Sequence, residues 1–238
     1  MPENAKKVRL DKFLTQAAEL TRSEAKQRIK KGSVTVNKEL IKKPEVKISL
    51  QDRVCIDGEE VLYEQYRYIM LHKPAGVISA TEDAEDRTVL DLIDEGKKGL
   101  FPVGRLDKDT EGLLLLTNDG VLAHNLLSPK KHIDKTYFAI LDGPVGTKEQ
   151  ELFLQGLDIG DEKLTLPAKL ELTENKNEVF ITVQEGRFHQ VKRMAQAVGR
   201  NVTYLKRISM GNLVLDPNLK KGEYRSLTEK ELTSLKKR

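Results

Sequence analysis

Three acidic side chains crowd the segment Gly104-Arg105-Leu106-Asp107-Lys108-Asp109-Thr110-Glu111-Gly112, just ahead of the apolar run Leu113-Leu114-Leu115-Leu116. A carboxylate on a loop between glycines, anchored by a rigid strand, suits a nucleophile or a general base. Its backbone can be held tightly and still approach a ligand. Acids in loops more commonly cap helices or close turns, and spacing alone leaves Asp107, Asp109 and Glu111 equivalent. A second run, Lys135-Thr136-Tyr137, leads into Phe138-Ala139-Ile140; a tyrosine in a strand is ordinarily a core residue with its hydroxyl at the edge. A third, Glu185-Gly186-Arg187-Phe188-His189-Gln190-Val191-Lys192-Arg193-Met194, carries basic residues that could form a solvated helix face. His72, His124, His132 and His189 lack metal-ligand spacing, and the single cysteine, Cys55, cannot complete a zinc site. The glycines fit neither a Walker loop nor a dinucleotide fingerprint, so no metal and no cofactor is expected.

These residues need a scaffold. Tyr68-Ile69-Met70-Leu71 opens a strand and Lys73-Pro74-Ala75-Gly76-Val77 a loop, since Pro and Gly together punctuate. Leu113 to Thr117 reads as a buried strand, Val121 to Leu127 as a short helix, and Val179 to Val183 as a strand. A Gly186 turn then leads into a helix from about Phe188 to Val198. Thr147-Lys148-Glu149-Gln150 and Thr228-Glu229-Lys230-Glu231 have the pattern of capping boxes. Upstream, Arg9 to Gln16 and a helix begun by Thr21-Arg22-Ser23-Glu24 and stopped by Gly32 form a pair. Val34 to Val36, Val46 to Ile48 and Val54 to Ile56 read as short strands. The pattern breaks between Glu60 and Gln65, which divides the chain into 1–64 and 65–238.

Of 238 residues, 38% are hydrophobic and 33% charged, enough apolar material for a core of ordinary size. No run approaches the ~18 apolar residues of a membrane helix, and Met1-Pro2-Glu3-Asn4-Ala5-Lys6-Lys7 has no apolar stretch behind its charges. A soluble, cytoplasmic protein without a membrane partner is expected. The net charge of +4 is unevenly placed. Residues 1–47 carry 13 Lys and Arg against 6 Asp and Glu, net +7, and residues 48–238 carry 28 against 31, net −3. Arg22, Lys26 and Lys30, four apart on one helix, form a basic ridge suited to phosphates or to solvent. With aromatics at 5% and no Trp, a single-strand binder built on many stacking platforms is disfavoured.

From Val8-Arg9-Leu10-Asp11-Lys12 through Arg22, Ala25, Ile29, Gly32, Val34 and Asn37 the head resembles the S4 RNA-binding domain. That resemblance implies a helix pair lying against structured RNA, with Arg9, Lys12, Arg22, Lys26 and Lys30 as its RNA-binding cations. The run from Gly104 to Gly120 resembles the active-site motif of pseudouridine synthases of the RsuA/RluB branch, where the Asp of Gly-Arg-Leu-Asp is the nucleophile. This singles out Asp107. Arg9-Leu10-Asp11-Lys12 repeats Arg105-Leu106-Asp107-Lys108 letter for letter, but Asp11 has no preceding glycine and no following strand, and reads as structural. The same resemblance implies that Tyr137 of the Lys-x-Tyr motif packs on the target uracil. It makes Lys192 the ion-pair partner of the catalytic Asp, where other branches carry Arg. Arg105 and Arg187 would bind phosphate or the catalytic loop.

The implied fold is α+β: a small S4 (α-L) domain over 1–64, then a mixed, mainly antiparallel-sheet pseudouridine synthase domain over 65–238. The implied reaction is the isomerisation of one uridine in rRNA or a pre-ribosomal particle by a monomer, without metal or cofactor. The short stretch after Gly222-Glu223-Tyr224-Arg225-Ser226-Leu227-Thr228 favours 16S rRNA, with a sibling synthase acting on 23S rRNA as one alternative that shares every catalytic residue. A non-catalytic S4-type assembly protein is the other alternative, opposed by the joint presence of Asp107, Tyr137 and Lys192.

Overall fold

The computed structural model describes residues 7–236 other than 19, 62, 64, 65 and 95. The chain divides into two units, Met1–Tyr66 and Arg67–Arg238. Residues 64 and 65, where the sequence pattern breaks, lie outside the described residues.

In the first unit β1 (Lys7–Arg9) runs into α1 (Leu10–Ala17) and α2 (Arg22–Lys31). The short strands β2 (Val34–Val36), β3 (Glu39–Leu40), β4 (Lys47–Ser49), β5 (Val54–Ile56) and β6 (Glu59–Glu60) follow. Thr21 caps α2 reciprocally: its hydroxyl accepts from Glu24 N at 3.2 Å while Thr21 N donates to the Glu24 carboxylate at 2.7 Å. Gly32 ends the helix at φ 82°, a left-handed position that glycine adopts without a Cβ clash. β4 begins one residue later than the sequence suggests, as it pairs with β1 from Lys47 opposite Arg9 to Ser49 opposite Lys7. Leu10, Phe13, Leu14, Ala25, Ile29 and Val34 meet in the core, leaving Arg22, Lys26 and Lys30 exposed.

The second unit is built on one nine-stranded sheet. Its elements are β7 (Tyr68–Lys73), β8 (Phe101–Pro102), β9 (Glu111–Thr117), α3 (Gly120–Leu127), β10 (Lys135–Leu141) and α4 (Thr147–Gln155). Then come β11 (Lys169–Leu172), β12 (Glu178–Val183), α5 (Gln190–Ala197), β13 (Val202–Met210), β14 (Leu213–Val214), β15 (Tyr224–Ser226) and α6 (Glu229–Lys236). The main strand order is β11-β12-β10-β13-β9-β7-β15, with β14 on β13 and β8 on β9. Every pairing is antiparallel except that of β13 with β9 at the centre. The architecture is α+β.

The apolar run of β9 is buried on both faces. Leu113 and Leu115 join one core cluster with Tyr68 and Met70, and Leu114 and Leu116 join another with Ile69 and Leu71. The period-2 pleat therefore puts Lys73, two residues beyond Leu71, on the face of the second cluster. Two helix starts differ from expectation. The N-cap of α4 is Gly146, whose N–H donates to Glu149 at 2.7 Å, so Thr147 is already inside the helix and supplies no capping hydroxyl. α5 begins at Gln190 rather than near Phe188, because His189 has a left-handed backbone at φ 48° that breaks the helical turn.

Candidate active site

The loop from Arg105 to Thr110 is fixed by its own main chain. The Ser79 hydroxyl, buried, both accepts from Leu106 N and donates to Leu106 O, each at 3.0 Å. Gly76 N donates to Lys108 O at 2.7 Å, and Thr110 N to Asp107 O at 3.1 Å. Beneath them lies Lys73, whose buried ammonium donates to the carbonyls of Thr110 (2.8 Å), Asp107 (3.0 Å), Pro74 (3.1 Å) and Lys108 (3.3 Å). One cation thus gathers the carbonyls of a turn on which Lys108 and Asp109 are exposed.

The Asp107 side chain, 27% exposed, meets two groups carried by the turn into α5 and by α5 itself. Lys192 Nζ lies 3.1 Å from Oδ2, and His189 Nε2 3.6 Å from Oδ1. Lys192 is shared, since its ammonium also sits 2.6 Å from the largely exposed Asp109. The hydrogen bond from Lys192 holds Asp109 below the usual carboxylate range, against burial. Burial works to lower the Lys192 pKa, but hydrogen bonds to Asp109 and Asp107 outweigh it and raise the value. α5 is anchored on both sides of Lys192: Val191, Met194 and Ala195 are buried and Arg193 Nε donates to Ile159 O at 2.9 Å.

Tyr137 is half-buried on β10 and packs against both the cluster of β10–β12 and the one containing Leu106, next to Asp107. Lys135 is buried with its ammonium on Ile133 O at 3.0 Å; burial, with Arg207 nearby, lowers its pKa. Arg105 is exposed on the loop and makes no side-chain hydrogen bond or ion pair among the described residues. Arg187 is turned toward the protein itself. Its guanidinium donates to Glu185 (3.0 Å), Asp161 (3.3 Å), Lys163 O (2.7 Å) and Leu164 O (2.7 Å), tying down the segment after α4. These contacts engage its guanidinium within the protein and clamp that segment in place.

In the first unit the buried Asp11 accepts a two-pronged hydrogen bond from Arg9, at 2.8 and 3.0 Å, with Arg22 Nε 3.7 Å away. Arg9 holds its carboxyl below the usual range, against burial. Two of the five expected RNA-binding cations are therefore partly neutralised, whereas Lys12, Lys26 and Lys30 are exposed and without an ion pair among the described residues. Sequence reasoning passed over Asp109 as a partner of Lys192, weighed His189 only against metal spacing, and took Lys73 merely as the start of a loop. None of the three carries a local signal, because each interaction joins segments distant in sequence. Among the described residues no group of three His, Cys, Asp or Glu side chains is placed to hold a metal ion.

Over residues 67–197 the chain matches the family described as RNA pseudouridylate synthase, and over 8–54 the S4 domain. The chain belongs to the RNA pseudouridylate synthase family. This pseudouridine synthase, an isomerase, is 47% identical to the RNA pseudouridine synthase YtzG of Bacillus subtilis (strain 168), across 94% of its own length and 97% of that protein. It is 41% identical to ribosomal small subunit pseudouridine synthase A of Escherichia coli (strain K12), across 96% and 100% of the two chains. A crystal structure of a pseudouridylate synthase, 40% identical, matches with a TM-score of 0.69 over 96% of this chain and 99% of the other.

The buried ammonium of this pseudouridine synthase has a measurable signature. Burial lowers the Lys73 pKa from 10.5 to about 8, against the opposing pull of Asp109, Asp107 and Glu111. Between those values the unfolded chain binds the proton and the folded chain does not, so this group's contribution to stability rises with pH across the window and is smallest below it. The full change is on the order of 3 kcal/mol. Lys73→Met should flatten that rise, as read by denaturant unfolding at pH 7.5, 9 and 10. An identical pH dependence in the variant would show that the ammonium is not desolvated.

Proposed function

We propose that this pseudouridine synthase isomerises one uridine in 16S rRNA of the small ribosomal subunit, as a cytoplasmic monomer, with Asp107 as its acting carboxylate and no cofactor. The observation that carries the reading is the approach of Lys192 to Asp107, at 3.1 Å, on a loop whose carbonyls are gathered by Lys73. Relatives named ribosomal small subunit pseudouridine synthase A support the choice of RNA.

The reaction breaks the N1–C1′ bond, turns the uracil, and joins C5 to C1′, with the C5 proton passing to solvent and N1 gaining one. Nothing is oxidised and no group is transferred to another molecule, so the steps balance without a co-reactant. The uridine must leave its stack to reach Asp107. Tyr137, between two core clusters, offers the flat surface on which its uracil packs. Asp107 then attacks the sugar or the base, or removes a sugar proton; each route uses the charged carboxylate, which Lys192 orients. Mapping pseudouridine in rRNA from cells lacking the gene tests this directly. One missing site in 16S rRNA is expected. A missing site in 23S rRNA would move the substrate to the large subunit, and no missing site would favour a binding protein.

The head supplies affinity in this reading. Every cation–phosphate pairing removed reduces the slope of log affinity against log salt by about 0.7–0.9. Because Arg22 is already near Asp11, changing Arg22, Lys26 and Lys30 together to Ala should remove the equivalent of about two such pairings, lowering the slope by roughly 1.4–1.8. Arg22→Ala alone should change it least. Alanine preserves the helix, so turnover at saturating RNA should hold. An unchanged slope would make the ridge a solvated face.

A further inference from the structure

We propose that Phe188 is a stacking platform for an RNA base at the lip of the active site, where it takes the place in the stack that the target uridine vacates. The inference rests on the reading of RNA as the substrate. Phe188 is 75% exposed, the most exposed large apolar side chain among the described residues. Single exposed apolar residues are ordinary on protein surfaces. Three features set this one apart.

The first is position. One face of the Phe188 ring stacks on the His189 imidazole, with centroids 3.8 Å apart and planes 19° from parallel. His189 Nε2 in turn lies 3.6 Å from the Asp107 carboxylate. The exposed ring is thus one stacked layer from the acting carboxylate.

The second is preorganisation. Phe188 O accepts from Arg193 Nη1 at 3.2 Å, and Arg187 N donates to Gln190 Oε1 at 3.0 Å. Gln190 Nε2 donates to Glu185 at 2.9 Å, and the Arg187 guanidinium holds two further carbonyls. The main chain on both sides is fixed while the ring projects. The third is the left-handed backbone of His189 at φ 48°, an uncommon conformation for a residue other than glycine. It delays α5 and keeps Phe188 off the helix. Arg187, its guanidinium engaged within the protein, acts here as the brace of the platform.

Extruding a uridine breaks stacking on both faces of the base. A flat apolar ring restores part of it for any flanking base, since every base has a π-face. The His189 imidazole backs one side of Phe188 and the other is open to a nucleotide.

The chain contains no Trp, so Phe188→Trp is a single-tryptophan reporter. Titrated with total rRNA from cells lacking the gene, its emission should be quenched, while Leu154→Trp on α4 should keep its emission. Phe188→Ala should lower kcat/KM by about 5- to 150-fold at unchanged Tm, Phe188→Tyr should restore it, and Phe188→Leu should not. An unquenched Phe188→Trp, or kcat/KM unchanged in Phe188→Ala, would overturn the proposal. Equal activity of the Leu and Tyr variants would do the same, since it would reduce the ring to apolar bulk. Pseudouridine formation by the unsubstituted chain is scored separately. A chain that modifies no rRNA, yet is quenched at position 188, loses the functional reading and keeps the platform.

Discussion

Asp107→Asn should fold normally and release at most about 10⁻⁴ of the normal tritium from RNA labelled at uridine C5, a loss comparable to that on disabling a nucleophile or its base elsewhere. The amide keeps the shape of the carboxylate and an oxygen for Lys192, but has neither its charge nor its basicity. Asp107 is partly exposed and its loop is held through main-chain carbonyls and Ser79, so the substitution leaves the scaffold alone. Asp11→Asn is the matched control. It changes the same motif letter in the first unit, weakens the pairing with Arg9 and Arg22, and should leave turnover on bound RNA intact while lowering the stability of the head. Turnover of Asp107→Asn within tenfold of normal would remove Asp107 from the chemistry.

Gly112→Ala should have the largest effect on folding. Gly112 has φ 106°, and a Cβ there would lie 2.2 Å from Arg207 O and 2.7 Å from Arg207 N. Both atoms are main chain of the neighbouring strand, so neither can swing aside. The strands β9 and β13 would have to part where they pair in parallel, at Gly112 opposite Arg207. A cost of about 4 kcal/mol or more is expected, which lowers Tm by roughly 8–16 °C in a domain of this size. Activity should fall with it, because the same strand carries the Asp107 loop. A thermal melt within about 2 °C of normal would show that the two strands can separate cheaply. Gly104→Ala is milder by the same argument: its Cβ would meet only the Leu127 side chain, at 3.0 Å, which can rotate, although φ 76° still strains an alanine.

Local chemistry determined much of this protein from sequence alone. The Thr21–Glu24 and Thr228–Glu231 capping boxes and the Gly32 stop are interactions within a few residues, so their letters suffice. The run from Leu113 to Leu116 is apolar at consecutive positions, which suits a strand buried on both faces. Thr147 misled for the same reason that the others succeeded. The motif was present, but where the backbone left the helix was decided one residue earlier, at Gly146. Spacing could not separate Asp107 from Asp109 or Glu111; resemblance to a family did.

Tertiary structure alone decided what surrounds Asp107. Lys192, 85 positions along the chain, arrives because β13 inserts between β10 and β9 and pairs in parallel with β9. A pleat's periodicity tells which residues share a face of one strand and is silent about which strands are neighbours. Folding also gave the three acids of one loop three different environments. Asp107 faces Lys192 and His189, Asp109 shares the same ammonium from the solvent side, and Glu111 is buried against Tyr204 and Lys221. Lys73 is buried under the turn, where only an ammonium reaching four carbonyls reconciles its charge with the interior. Residue type supplied the carboxylates; which one meets both Lys192 and His189 was settled by long-range pairing, because burial and Coulomb interactions are properties of neighbours in space.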